Sequence, residues 1–291
     1  MSLIVTGATG ALGRLTVENL LERGVPAGEI VATGRSVDRL KDLAERGVQV
    51  RAADYADPDT LRAAFADVSR LLLVSGSELG PQRVRQHDNA IKAAREAGAE
   101  LVVYTSMVNA GTSTLRLAED HQATESLLRD SGVPFTLLRN SWYTENYTAR
   151  LAAFLGQGAI YGSAGKGRVS LATRADFAGA AAAVLTTDAH ENRAYELGGD
   201  EAFTLAELAA EITAQSGTQV SYVDLPEQEY VRALVATGLP PLVADILADA
   251  DGGLSRGELF TDSGDLRRLL GRPTTPLAEA IAAAVRTSTV A

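Results

Sequence analysis

The sequence predicts an α/β fold, a doubly wound parallel sheet with a second, smaller, mostly helical lobe. Strand-like and helix-like stretches alternate through the first half of the chain, the pattern of βαβ units. Several of the strands are apolar almost throughout, as parallel strands covered on both faces tend to be. After about residue 140 the rhythm changes to Ala- and Leu-rich helical segments broken by Gly and Pro.

Strands are expected at SLIVTG (2–7), EIVATG (29–34), VQVRAAD (48–54), RLLLVSG (70–76), ELVVYTS (100–106), FTLLRN (135–140) and AYELGG (194–199). Helices are expected at Leu12–Arg23, Asp38–Arg46, Pro58–Phe65, Pro81–Ala97 and Ala118–Asp130. Asp57-Pro58 supplies a side-chain cap followed by proline at the first helical position. Thr204 and Glu207 have the spacing of a capping box opening LAELAAEITAQ. Residues 141–170 and 200–291 hold few strand signals, with breaks at Gly238-Leu-Pro240-Pro241 and Gly252-Gly253.

The 291 residues suffice for one large core and a smaller partner. The net charge is −10 and no basic run stands out, which argues against a nucleic-acid partner. There is no cysteine, so disulfides, thiol catalysis and thiolate metal sites are excluded. No His/Asp/Glu grouping has metal-ligand spacing, and no metal is expected. No apolar run approaches the roughly 20 residues of a membrane span. Residues 1–5 enter a strand without a basic leader, so no signal peptide is expected and a cytoplasmic address follows by default.

The strongest motif is TGATGALG at 6–13. Gly7, Gly10 and Gly13 follow a strand and open a helix, the context a dinucleotide fingerprint requires. Gly7 permits the tight turn, Gly10 lets the backbone approach a pyrophosphate, and Gly13 lets the helix pack closely. Ala8, Thr9, Ala11 and Leu12 complete the loop whose N–H groups would face the phosphates at the positive helix end. A glycine turn that merely closes a βα unit is the plainer alternative. The second strand speaks to the cofactor. An NAD binder places Asp or Glu about 20 residues after the glycines, on the ribose 2′-hydroxyl. Residues 30–37, IVATGRSV, hold no carboxylate, and Arg35 stands just past the strand. A guanidinium there can pair with a 2′-phosphate and stack on adenine, which points to NADPH; a solvated surface arginine is the other reading. Asp54 and Tyr55 close the third strand, where an adenine would lie. Ser75, Gly76 and Ser77 follow the fourth strand and Thr105 sits at the end of the fifth. Both are carboxyl ends, where open α/β sheets bind ligands.

TGATGALG, Arg35, YTSMVNA, DHQATE, LLRNSWYTENY (137–147) and SLATRADFA (170–178) together resemble the NmrA-like atypical short-chain dehydrogenase/reductases. Within them the chain is most similar to the bacterial type 2 class of NADPH-dependent quinone oxidoreductases. The resemblance covers essentially the whole chain and rests most specifically on the LLRNSWYTENY and ATRAD blocks. It implies an NADP-binding Rossmann domain from residues 1–140 and 171–199, and a substrate-covering lobe from 141–170 and 200–291. It also implies cofactor contacts from Asn140, Ser141, Trp142, Tyr143, Thr144, Glu145 and Arg174.

The wider superfamily uses Tyr-x-x-x-Lys as proton donor. Here the lysines are Lys41, Lys92 and Lys166, and none follows a tyrosine by four. At that place in the chain stand His121 and Glu125. Reducing a ketone leaves a basic alkoxide and needs a good acid, whereas hydride addition to a quinone leaves a weakly basic phenolate. An unperturbed histidine, with a pKa of about 6.5, suits that second task. His121 is thus the candidate catalytic donor, with Glu125 at i+4 able to orient it; a polar helix face is the alternative. His87 and His190 read as an amphipathic-helix residue and a polar-turn residue. Trp142, Tyr143 and Tyr147 can stack on a flat ring or serve the core. The expected activity is hydride transfer from NADPH to a quinone-like small molecule. An NADP(H)-binding sensor without turnover is the rival reading, and a homodimer is left open.

Overall fold

The computed structural model describes residues 2–289. Its strands are β1 Leu3–Val5, β2 Ile30–Gly34, β3 Gln49–Ala52, β4 Arg70–Leu73, β5 Leu101–Met107, β6 Phe135–Asn140, β7 Ala159–Gly162, β8 Arg193–Leu197 and β9 Ser221–Asp224. Its first eight helices are α1 Ala11–Glu22, α2 Lys41–Glu45, α3 Pro58–Ala64, α4 Pro81–Glu96, α5 Arg116–Ser131, α6 Glu145–Thr148, α7 Leu151–Gln157 and α8 Arg174–Thr186. The rest are α9 Leu205–Ser216, α10 Glu227–Ala236, α11 Pro241–Ser255, α12 Asp265–Leu270 and α13 Leu277–Thr289.

Seven strands form one parallel sheet in the order β3-β2-β1-β4-β5-β6-β8. All seven are those expected from the sequence. Alternate residues along each strand supply opposite faces, which is why both faces can be apolar. Leu3, Val5, Leu72 and Val103 pack with α1 and α8; Ile4, Leu71, Leu73, Val102 and Tyr104 pack with α3, α4 and α5. The strand order reverses direction between β1 and β4, and such a switch opens a crevice at the carboxyl ends. Helix α8, RADFAGAAAAVLT, is buried on nearly every side, and its small residues allow close approach to α1.

The expected helix Asp38–Arg46 is instead a 3-10 turn, Val37–Leu40, followed by the short α2. β7 and β9 pair as a separate two-stranded sheet that the sequence reading did not find. Around them α7, α9, α11 and α13 close a second core with Met107 and Val108 from the end of β5. α10 and α11 carry a small core of their own, Tyr230, Leu234, Ala244 and Ala248. α12 departs from the expected arrangement: Leu266, Leu269 and Leu270 pack on α8 and β8 rather than on the lobe, because its apolar face meets the small-residue side of α8. We therefore propose the expected two units with 265–270 moved to the first.

Candidate active site

The glycine turn is set by sterics. Gly7 has φ +61°, in the left-handed region that glycine tolerates. A Cβ on Gly13 would lie 2.5 Å from the Gly7 carbonyl oxygen, so the helix can sit this close only with glycine there. The Gly10 N–H donates to Gly7 O at 2.9 Å, and the Ala8 N–H donates to Thr33 O at 2.9 Å, tying the turn to β2. α1 begins without a side-chain cap and with no acid in its first turn, so its N–H groups are left for an anion. Gly34 is equally constrained: a Cβ would meet Thr9 Cγ2 at 2.7 Å.

Past this turn lies a cavity of about 260 Å³ lined by Gly7, Thr9, Gly10, Thr33, Gly34, Arg35, Asp54, Tyr55, Ser75, Gly76 and Ser77, with Glu78 and Gln86 at its side. Arg35 is exposed at its edge. Thr33 Oγ1, buried beside it, has no hydrogen-bond partner. Tyr55 donates to the Val74 carbonyl at 2.7 Å and also contacts Thr6 Oγ1. Asp54 Oδ1 accepts from the Ala56 N–H at 2.9 Å, so the turn occupies part of this carboxylate. Thr105 does not face the cavity; its hydroxyl accepts from the Ser75 N–H at 2.9 Å and fixes the strand end. Ala8, Ala11, Leu12 and Gly13 likewise build the turn and helix without lining the cavity.

A second cavity of about 250 Å³ shares Ser75 with the first, so the two run on along the strand ends. Asn140, Ser141, Trp142, Tyr143, Asn146, Arg174, Ser106, Met107, His121 and Arg83 are on its walls. The Thr144 N–H donates to the Ala172 carbonyl at 3.0 Å, joining segment 140–145 to the loop before α8. Glu145 caps α8 by accepting from the Arg174 N–H at 2.9 Å. The Arg174 guanidinium lies 4.7 Å over the Tyr143 ring and donates to Asn146 Oδ1. Thr144 and Glu145 thus hold the segment from behind rather than line the cavity. Asn140 Oδ1 is buried without a donor, an unmet acceptor of the kind a carboxamide can satisfy. Of the three aromatics, Trp142 and Tyr143 line the cavity and Tyr147 belongs to the lobe core.

His121 reaches the cavity from α5, but its chemistry differs from the expectation. Its Nδ1 is 2.8 Å from the Tyr104 hydroxyl. Burial, aided by the positive charge of Arg83 and by nearby His87, pulls its pKa down from 6.5 to about 3. At neutral pH it is a neutral imidazole and no longer the modest acid that an unperturbed histidine would be. Glu125 does not orient it either. That carboxylate accepts from Arg139 Nη2 at 2.7 Å, Ser106 Oγ at 2.7 Å and Arg129 Nη2 at 2.8 Å. The partner of His121 is Tyr104.

The residues 7–188 match the model of a family described as NAD(P)H-binding. The chain is 50% identical over 277 residues to quinone oxidoreductase 2 of Escherichia coli, 95% of this chain and 96% of that one. The chain belongs to the NmrA-like NAD(P)H-binding family. The solved structure of the Escherichia coli NADPH-dependent quinone oxidoreductase with NADPH superposes with a TM-score of 0.94, covering 97% of this chain and 99% of that chain. A Citrobacter triphenylmethane reductase complexed with NADP(H) is 40% identical, with a TM-score of 0.93 and coverage of 97% and 100%.

Among the cavity residues of this family member, Gln86 and Arg83, both from α4, went unread in the sequence. His87, on the same helix and read there only as part of an amphipathic face, stands behind the cavity wall. His87 Nε2 accepts from the Gly76 N–H at 2.9 Å, which leaves Nδ1 to donate to Thr124 Oγ1 at 2.9 Å. It therefore shapes the 75–77 loop as a neutral ring. Its pKa, lowered to about 3 by burial and Arg83, agrees with that tautomer. Among the described residues no cluster of acids and histidines could hold a metal, and no helix is long and apolar enough to cross a membrane.

Proposed function

We propose that the chain is an NADPH-dependent oxidoreductase that passes a hydride to quinones and related planar acceptors. The observation that carries this reading is the second cavity. It joins the dinucleotide crevice, it offers the Tyr143 and Trp142 rings, and it holds a histidine that stays neutral. A site without a charged proton donor suits an acceptor whose reduced form is a weak base. The likeness to quinone oxidoreductase 2 over nearly the full length supports the same substrate class. Arg35, Thr33 and the glycine turn would hold the 2′-phosphate and pyrophosphate, Asp54 and Tyr55 would border the adenine, and Asn140 would accept from the carboxamide. Bound NADPH supplies the hydride; the residues around it orient the two rings and exclude water. We extend the reading to a cytoplasmic enzyme that meets small molecules and not nucleic acid, in keeping with the net charge of −10.

Purified protein should oxidise NADPH with benzoquinones and naphthoquinones and be nearly inactive on aliphatic ketones. Absence of turnover with every quinone, alongside tight NADPH binding, would overturn the reading in favour of a sensor. Arg35→Ala should weaken NADPH roughly 10- to 100-fold, the scale of a hydrogen bond to a charged group, and leave NADH almost unchanged. Equal affinities of the native protein for both cofactors would contradict this. His121→Ala should slow quinone reduction less than tenfold, well below the loss expected for a general acid. In the native protein kcat should be flat from pH 6 to 8, because His121 titrates near 3. A decline of kcat above pH 6.5 would restore the histidine as the acid.

A further inference from the structure

Arg83 is a buried cation that the family resemblance did not bring into the site. It lies in the first turn of α4, where the helix end is itself positive, and the turn contains no acidic residue. The residue is 7% exposed and is on the wall of the second cavity with Ser75, His121 and Tyr143. Its Nε donates to the Glu78 carbonyl at 2.5 Å. Nη1 is buried with no hydrogen-bond partner. The nearest acid, Asp120, keeps its Oδ2 3.7 Å away and gives that oxygen to the Gly80 N–H at 2.8 Å. The other guanidinium on this wall, Arg174, is already engaged by Asn146 and the Tyr143 ring.

A buried guanidinium held by one short bond and a long ion pair to Asp120, with no hydrogen bond at Nη1, is under-satisfied, and a second anion in the cavity would meet it. Burial lowers the pKa of Arg83, opposed by the nearby carboxylates Asp120 and Glu78, and a guanidinium stays charged at neutral pH. It is also close enough to its neighbours to depress the pKa of both His87 and His121. A cation whose field reinforces the effect of burial on those rings is poised to attract negative charge arising in the same space.

Building on the proposed quinone chemistry, we infer that Arg83 is a catalytic residue that binds the oxyanion formed on the quinone during hydride transfer. The balance is simple. The hydride bonds to one quinone oxygen, the ring π electrons shift, and the other oxygen gains the electron pair as a phenolate. NADPH is oxidised to NADP+, the quinone gains two electrons, and the phenolate later takes a proton from water. Arg83 donates to that second oxygen. In this site charge stabilisation by a fixed guanidinium replaces proton donation by a tyrosine.

The test measures quinone reduction by native protein, Arg83→Met and Arg83→Lys, with NADPH affinity followed by fluorescence titration. A series of benzoquinones with electron-donating and electron-withdrawing substituents varies the basicity of the phenolate. Arg83→Met should lower kcat by roughly 100-fold, the usual scale for losing one oxyanion donor. NADPH affinity should stay within about twofold. The loss should grow with phenolate basicity, and Arg83→Lys should recover part of the rate. A kcat within about threefold of native, or a loss carried entirely by NADPH affinity, overturns the proposal; the second result would make Arg83 a cofactor ligand. If Arg83→Met does not fold, Arg83→Lys decides: a steeper dependence on phenolate basicity than native supports the role, and an unchanged one overturns it. Native protein inactive on every quinone overturns the functional reading and this proposal together. Native activity with unaffected variants overturns this proposal alone.

Discussion

Gly10→Val should give a folded protein that no longer binds NADPH. Gly10 has φ −95° and ψ 167°, a conformation open to any residue. A Cβ there would meet only the Gly7 carbonyl oxygen, at 3.3 Å, so a slight adjustment of the turn accommodates it. The side chain would fill the edge of the first cavity, which Gly10 lines, in the space proposed for the pyrophosphate. Thermal melting should remain within a few degrees of native while NADPH titration shows at least a 100-fold loss. A folded variant with native affinity would mean that the nucleotide lies elsewhere. Gly13→Val makes the contrast: its Cβ would lie 2.5 to 2.9 Å from backbone atoms of Gly7 and Ala8, so the helix must move and the fold should be lost.

Glu125→Ala should destabilise the helical layer beneath the site by about 3 kcal/mol, the scale of breaking a buried ion pair. Glu125 is almost fully buried. Its loss leaves Arg139, itself mostly buried, with Glu196 as its one ion-pair partner among the described residues, at 2.8 Å. Urea unfolding at pH 7 measures the effect; a change below about 1 kcal/mol would show that Glu196 and water compensate. Acid should narrow the gap between native and variant. Burial raises the Glu125 pKa, but the bonds from Arg139 and Ser106 outweigh it and hold it below 4.5. Its stabilisation is therefore complete above the unfolded value and is lost as the pH falls through the folded one. His87 and His121 add a second slope. Their pKa values fall from 6.5 to about 3 on folding, so below pH 6.5 the unfolded chain takes up protons that the folded chain refuses.

Much of this was legible in the sequence. Five of the seven main strands are largely apolar runs, all seven alternate with helices, and the glycine turn carries its own context. β7 and β9 were not, because they lie in the stretch dominated by Ala- and Leu-rich helical segments and pair only with each other, outside the alternation that marks the main sheet. The packing of α12 on α8 and β8 was not legible, since six residues cannot announce which face they will find. In the site, segment 140–145 and Arg174 were named together through the resemblance, and the Thr144–Ala172 bond and the Glu145 cap supply the physical link between them. His121 does line the cavity, but its protonation was not readable, since that depends on burial and on Arg83 from another helix. Arg83 did leave one trace: a cation in the first turn of a helix with no acid beside it is unfavourable on dipole grounds and asks for a reason. Thr33 left none, since a hydroxyl inside a strand looks like any other β-branched residue.

The return of α12 to the sheet has a further consequence. The polypeptide passes back and forth between the two proposed units, and α12 fastens a late stretch of it to α8 and β8. A lobe attached by one tether can swing like a door; one sewn on at several places must bend every seam together. Substrate should therefore gain entry by local shifts of side chains at the rim, without a clamshell motion. For the same reason the lobe is no detachable module: cutting the chain after residue 140 would strip the sheet of β8, α8 and α12 as well as removing the cover.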